Sequence, residues 1–517
     1  MMGTGRGIFQ EVRMQAIRIK GLLHLLFVLP SAAAIPDGWA QKPASGFRPV
    51  IPKTWDDAAM ATLEVPLANP IGSPKQVSSD YYYSVPVRPI YKQYPIYAPG
   101  HEPPGYMDWL KKQEPQIVWD DKGHTPALET EADWIQAGER VFESAIKFFP
   151  AAQAQQALPW LEKLHIPPTR DAVVPFFHYV VRQKGEVEAG FFSCSACHTR
   201  IMPDGSVLKG AQGSIPDVFL GFPPDVELAR RFQRMLFATP WIAPDPLGQV
   251  DHMGLEELNA VKAAIPRGVL GRHRTSIFFP VQVPDLIGVK DRKYLDRTGL
   301  QQHQSIIDLM RYAALNQGAD DLASFDEFVP ADFEGFKKLP DATTQSRYSD
   351  EQLYALGLYV YSLQPPENPN KFDALAARGQ KVFEREGCAM CHTPPLYTNN
   401  KLTLAEGFTP PPGATEKYDI LPISVGTDPN LTLKTRRGTG YYKVPSLKGV
   451  WYRSMFGHSG WCATLEDWFD PRRVRDDYVP TGFKPYGAKT YAVKGHPFGL
   501  DLSAEDKKAL IAFLKTL

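Results

Sequence analysis

Five cysteines in 517 residues are too few for a disulfide-built scaffold. Neither charge sign dominates: Lys+Arg and Asp+Glu both number 57, so the overall balance gives no reason to expect a nucleic-acid partner. Beyond the N-terminus no apolar run reaches the roughly 20 residues that a membrane-spanning helix needs. Hydrophobic residues at 43 % and charged residues at 22 % exclude a wholly disordered chain. What is abundant is proline, 48 residues or about 9 % against a usual level of about 5 %. Proline ends helices and avoids central strands, so long irregular connections are expected.

At about 150 residues per domain the length predicts two to four domains. Arg13, Arg18 and Lys20 precede GLLHLLFVLPSAAA (Gly21 to Ala34). A basic flank, an apolar run of about a dozen residues and small residues after it predict a secretory signal peptide over 1–40. Cleavage after Ala34 or Ala40 would leave a periplasmic or secreted protein with no membrane insertion. Residues 41–125 are rich in proline and tyrosine, as in DYYYSVPVRPIYKQYPIYAPG (Asp80 to Gly100), and read as an extended arm. LQPPENPNKFD (Leu363 to Asp373) reads as a connection between domains at 126–365 and 366–517.

The two blocks repeat each other. GERVFE (Gly138 to Glu143) matches GQKVFE (Gly379 to Glu384). Each is followed by Cys-x-x-Cys-His and later by Val-Pro-x-Leu-x-Gly-Val, at Val283 to Val289 and Val444 to Val450. In that register Thr298-Gly299 falls on Ser459-Gly460, and Arg297 falls on His458. Only 4 residues separate Glu384 from Cys388, but 51 separate Glu143 from Cys194. The front block therefore carries about 47 extra residues, including VVPFFHYVV, just before its motif.

Cys194-Ser195-Ala196-Cys197-His198 and Cys388-Ala389-Met390-Cys391-His392 carry the attachment spacing of c-type haem. Two thiols three positions apart can form thioethers with the vinyl groups of one porphyrin, and the adjacent histidine becomes the proximal iron ligand. A zinc site would bring its two cysteine pairs about 15–20 residues apart and would leave both histidines unexplained. A thioredoxin-like redox pair would need a compact βαβ context. Two covalent haems are therefore expected.

The sixth position of each iron decides the function: strong ligands favour electron transfer, and an open site permits oxygen or peroxide chemistry. His458 and His496 are candidates in the rear half; His178, His252, His273 and His303 are candidates in the front. Phe278 and Phe279 in TSIFFPVQVPDL are candidates for a dry distal pocket, with core packing as the alternative. Trp241 is a candidate electron relay. Arg436 and Arg437 are candidates to pair with haem propionates. Tyr441 and Tyr442 could contact the second haem, and Cys462 reads as a buried free thiol.

The two CxxCH blocks, VPSLKGVWYR and the following F-x-H-S-G and T-L-E-D-W-F stretch resemble the bacterial di-haem cytochrome c peroxidase superfamily. The long arm, CSACH, the wide motif separation and the GH-x-FG-x-x-L terminus most resemble its di-haem rubber oxygenases. The match runs from about Trp134 to Leu517. It implies a mainly α, loop-rich fold of two class I cytochrome c-like domains, and leaves calcium between them open. The peroxidase resemblance implies hydrogen peroxide at one haem and an electron from the other, supplied by a small redox protein. The oxygenase resemblance implies dioxygen and an apolar organic substrate at the first haem, with a bis-histidine second haem. The peroxidases place a methionine about 14 residues after the F-x-H histidine. Here that count lands on Arg472, so His496 is the preferred ligand, with His458 the alternative. A non-catalytic electron carrier and an oxidant of a partner protein's side chains remain alternatives.

Overall fold

Two helix pairs carry the repeat. In the front half, α1 (Glu131–Glu143) is started by Thr130, whose hydroxyl accepts from the Asp133 backbone while the Asp133 carboxylate accepts from the Thr130 backbone. It crosses α2 (Asp350–Ser362), which Ser349 and Gln352 cap in the same reciprocal way. In the rear half, α3 (Ala374–Arg385) starts on Asp373 and crosses α4 (Ala504–Lys515), which starts on Ser503. Both crossings turn on a glycine. A Cβ on Gly138 would stand 2.0 Å from the Ala355 carbonyl oxygen, and one on Gly379 would stand 1.9 Å from that of Ala509. In each case the next group met is an aromatic residue's Cβ at 2.8 Å, that of Tyr359 or Phe513. The computed structural model describes residues 46–152, 155, 168–215, 225–243, 246–271, 276–332 and 346–517. The signal segment and His273 lie outside them.

The Val-Pro loops repeat as closely. Gly288 and Gly449 take φ of 73° and 76°, left-handed values that glycine adopts without strain, and each opens one 3₁₀ turn. Arg292 then folds back onto its own loop, donating to the carbonyls of Asp285 and, at 2.6 Å, of Ile287. Arg453 does the same to Ser446, at 3.0 Å, and to Lys448. The halves meet around these loops by reciprocal backbone bonds. The Lys443 N–H donates to the Arg297 carbonyl at 2.9 Å, and the Gln282 N–H donates to the His458 carbonyl at 2.8 Å. Lys443 and Gln282 are equivalent positions, each just before its Val-Pro.

The expectation of a mainly α fold needs correction, because the front insertion is β-structured. Strands β1 (Gln93–Tyr97), β2 (Lys147–Pro150), β3 (Val173–Gln183) and β4 (Glu186–Phe191) form an antiparallel sheet in the order β1-β3-β4-β2. One strand comes from the arm and the others from the insertion. β-Branched and aromatic residues crowd VVPFFHYVV and suit a strand. The sheet packs its Phe176, Tyr179 and Val181 into one cluster with Ala196 of the CxxC turn. A three-stranded sheet and four two-stranded ones complete the described strands.

The arm makes specific contacts with both halves. Trp55, 1 % exposed, stacks on Tyr82 with centroids 4.4 Å apart. The Thr54 N–H donates to the Asp350 carboxylate at the start of α2, and the Ala68 N–H to the Gly438 carbonyl in the rear half. Phe47–Leu517 packs as one compact unit.

Candidate cofactor sites

In the rear half, the turn Cys388–Met390 follows Gly387 at φ 72° and hands directly to His392. The His392 Nδ1 lies 3.1 Å from the Pro445 carbonyl and 3.2 Å from that of Tyr397. Two carbonyl acceptors fix the proton on Nδ1 and leave Nε2 as the lone-pair donor, the arrangement a metal-binding imidazole requires. Burial lowers the His392 pKa, keeping the ring neutral as a ligand must be.

The ring brought to His392 is that of His496, with centroids 6.4 Å apart. Metal–imidazole nitrogen bonds of about 2 Å, with each ring centre about 1 Å further out, place two rings across one metal about 6 Å apart. The observed spacing leaves room for a metal ion between the two rings, which His392 and His496 would hold. The His496 pKa is pushed down to about 3, chiefly by burial and then by His392 and Arg473. His496 has φ 43°, an uncommon conformation for a side-chain-bearing residue and a sign of a held position. Arg473 does the holding. Fully buried, it donates from Nε to the Trp468 carbonyl at 2.8 Å and from its guanidinium ends to those of Val493, Gly495 and His496. The DPRRVR stretch, which supplies no methionine, instead supplies the clamp for the histidine loop. Phe383, Leu510 and Phe513 of the crossed helices form an apolar cluster that also takes in Cys388.

The thiols of Cys194 and Cys388 are pushed up to about 12 and about 11, mainly by burial. None of the four motif cysteines is in a disulfide. In the front half, Ser193 caps the helix Cys194–Cys197 by accepting from Ala196 N–H at 3.1 Å. Gly213 donates its N–H to the Cys197 carbonyl, and a Cβ there would lie 2.2 Å from that oxygen. The chain after His198 must therefore return tightly against the motif.

Between the halves lies a cavity lined by Pro284, Asp285, Arg292, Arg297, Asn400 and the segment Lys443–Ser446, with Arg453. It is strongly basic. Asp285 is the one acid in the lining, and it accepts from the Tyr452 hydroxyl at 2.8 Å and Arg453 Nε at 3.0 Å. Burial and then the neighbouring Arg453 and Arg292 push Arg297 down to about 9. Burial and the same kind of repulsion hold Lys443 well below its usual range.

Other predicted residues fall elsewhere. Arg436 and Arg437 are buried against Asp320, Asp321 and Glu64, and their guanidinium groups lie 5.2 and 5.7 Å from the Phe325 ring. They are matched by protein carboxylates, which corrects their assignment to haem propionates. Trp241 stacks on that same Phe325 at 5.5 Å and covers Gly72. Phe278 packs with the core of helices Val226–Phe237 and Leu255–Ala263, while Phe279 meets Lys434. His458 stacks on Tyr442 at 4.1 Å and meets Trp461 edge-on at 4.4 Å rather than being brought to His392. Tyr441 packs edge-on to Phe408. His303 is corrected as a ligand: its two ring nitrogens meet the Arg292 carbonyl at 2.6 Å and the Tyr361 hydroxyl at 2.7 Å. His252 is exposed, and His178 sits on β3 near Glu143 and Lys209. Cys462 is fully buried. Among the described residues no group of three His, Cys, Asp or Glu could hold a metal ion such as calcium, and no helix is long and apolar enough to cross a membrane.

Sequence reading missed Arg473 and the basic cavity. One signal was available: Arg292 and Arg453 both stand three residues after the last valine of their Val-Pro loops.

No family model matches the sequence, and no curated protein matches it. Two solved structures are similar in part. A hydrazine synthase of Kuenenia stuttgartiensis shares 15 % identity at a TM-score of 0.28, over 57 % of this chain and 88 % of that one. A MauG-like protein associated with microbial copper homeostasis shares 19 % at a TM-score of 0.26, over 48 % and 74 %. Likeness at this level carries no weight for fold or activity beside the residues and distances above.

Proposed function

We propose that this chain is an exported di-haem c-type oxidoreductase. Its rear haem would be held by Cys388, Cys391, His392 and His496, and its front haem by Cys194, Cys197 and His198. The observation that carries the reading is the His392–His496 spacing of 6.4 Å, with the His392 Nδ1 proton committed to backbone carbonyls. Bound haem would supply electron storage where both axial positions are filled, and dioxygen or peroxide activation where one is open. The protein's part is positional. Pro445 orients His392, Arg473 holds the His496 loop, and the crossed helices exclude water from the rear site. In the front half the same scaffold offers His198, and Ala342, not a histidine, stands where the count from the following helix matches His496. We assign the front haem the chemistry, with an apolar organic substrate oxidised by dioxygen. Peroxidase action with a small redox protein as donor is the alternative.

The test is electron paramagnetic resonance of the oxidised protein, joined to carbon monoxide binding by the reduced protein. One low-spin bis-histidine signal, one further haem, and one carbon monoxide bound per chain are expected. Two six-coordinate haems that both refuse carbon monoxide would make the protein an electron carrier.

A further inference from the structure

The basic cavity between the halves is unexplained by any group in the protein itself. Burying like charges together is costly, and buried charges are normally paired. Arg436 and Arg437 obey that rule with three carboxylates around them. The cavity does not. Arg292, Arg297, Lys443 and Arg453 line it, and Asp285 is their one acidic partner in the lining. Asp296, outside the lining, also attracts Arg297 and Lys443 while accepting from the Arg297 backbone N–H and, at 2.8 Å, from the Tyr312 hydroxyl, so two carboxylates face four cations. Arg297 spends only Nε, on the Gln282 carbonyl at 3.4 Å. Lys443 donates to the Tyr294 carbonyl at 3.2 Å, which leaves ammonium donors to spare. The lining is also shared. Arg292 and Arg297 come from the front half, and Lys443 and Arg453 from the rear. Its wall includes Pro445, whose carbonyl orients His392.

We propose that this cavity is an anion site common to both halves, built to take carboxylate groups of both covalently held porphyrins on one set of cations. The inference rests on the di-haem reading and adds a property to it: the two haems share their electrostatic environment. A positive charge beside a haem favours its reduced state, so a cation shared by two haems sets both potentials.

The experiment uses the full-length holoprotein and its Arg297→Gln and Lys443→Gln variants. Haem content is read as the pyridine haemochrome, and both midpoint potentials by spectroelectrochemistry. Each variant should keep two haems and disfavour reduction of both about tenfold, a fall of about 59 mV for a one-electron couple. Arg297→Lys, which keeps the charge, should restore both potentials. Two haems with only one potential shifted, or neither, would overturn the shared site while leaving the di-haem reading intact. Absence of covalent haem from the wild-type protein would overturn that reading, and the shared site with it. Should Arg297→Gln fail to fold, Lys443→Gln carries the same comparison.

Discussion

The front and rear halves share a scaffold but not their histidines. Each crosses two helices on a glycine, each turns a Val-Pro loop through a left-handed glycine, and each folds an arginine back over that loop. The rear half adds a second imidazole eight residues before α4 begins. The same count back from α2 reaches Ala342, and the sequence from Phe333 to Gln345, outside the described residues, contains neither histidine nor methionine. Duplication preserved the parts that shape the backbone. A histidine at the place of His496 is found in the rear half and not at the matching place in the front.

The largest effect should come from the tethers. Replacing Cys388 and Cys391 by serine should lower covalent haem from two to one, and so should replacing Cys194 and Cys197. Haem staining of denatured protein and the haemochrome assay read this directly, and an equal loss from either pair would establish that both halves load.

Next is the ligand. His496→Ala should convert one low-spin haem to high spin and raise carbon monoxide binding from one to two per chain. Failure of His496→Ala to change the spin state, with a change in His458→Ala, would move the rear ligand to the other histidine.

Arg473→Ala leaves four carbonyls, one buried and three half-buried, without their donor. At about 1–3 kcal/mol for an unsatisfied buried group, partly relieved by water, a loss of about 3 kcal/mol is expected. It should show as a lower denaturation midpoint together with a mixed-spin rear haem. A purely structural arginine would change the midpoint alone.

The smallest effect is also the most symmetrical. Gly138→Ala and Gly379→Ala each force a methyl into a carbonyl, so about 2 kcal/mol of destabilisation is expected from either. Unequal losses in chemical denaturation would mean that one helix pair gives way where the other cannot.

Much of this comparison can be read from residue order alone. The CxxCH spacing, the repeated GxxVFE and the Val-Pro loops are local patterns, and local patterns survive in a sequence. The His496 loop was visible through its GHPFG context, and the structure brings it to His392. The helix repeat between Ser349–Leu363 and Ser503–Leu517 is also legible, in Ala355/Ala509, Leu356/Leu510 and Tyr359/Phe513. What is not legible depends on distant partners. Arg436 looked available because Asp320 and Asp321 lie more than a hundred residues away. Arg473 acts on backbone carbonyls, which carry no sequence signal. VVPFFHYVV shows strand propensity, but only the fold reveals that its sheet lies against the CxxC turn.

The reciprocal backbone bonds between the halves have the form of a contact in a symmetric dimer. Position for position, the residue before each Val-Pro binds the other half, and the other half returns the bond. In a true dimer of identical chains every substitution appears twice, so the two sides of such a contact cannot diverge. Within one chain they can. Arg297 and His458 occupy matching places across this contact, one a fixed cation and the other a neutral aromatic-stacked ring. One chain thus allows what an assembly of identical subunits is denied: two CxxCH sites free to specialise while held in one register.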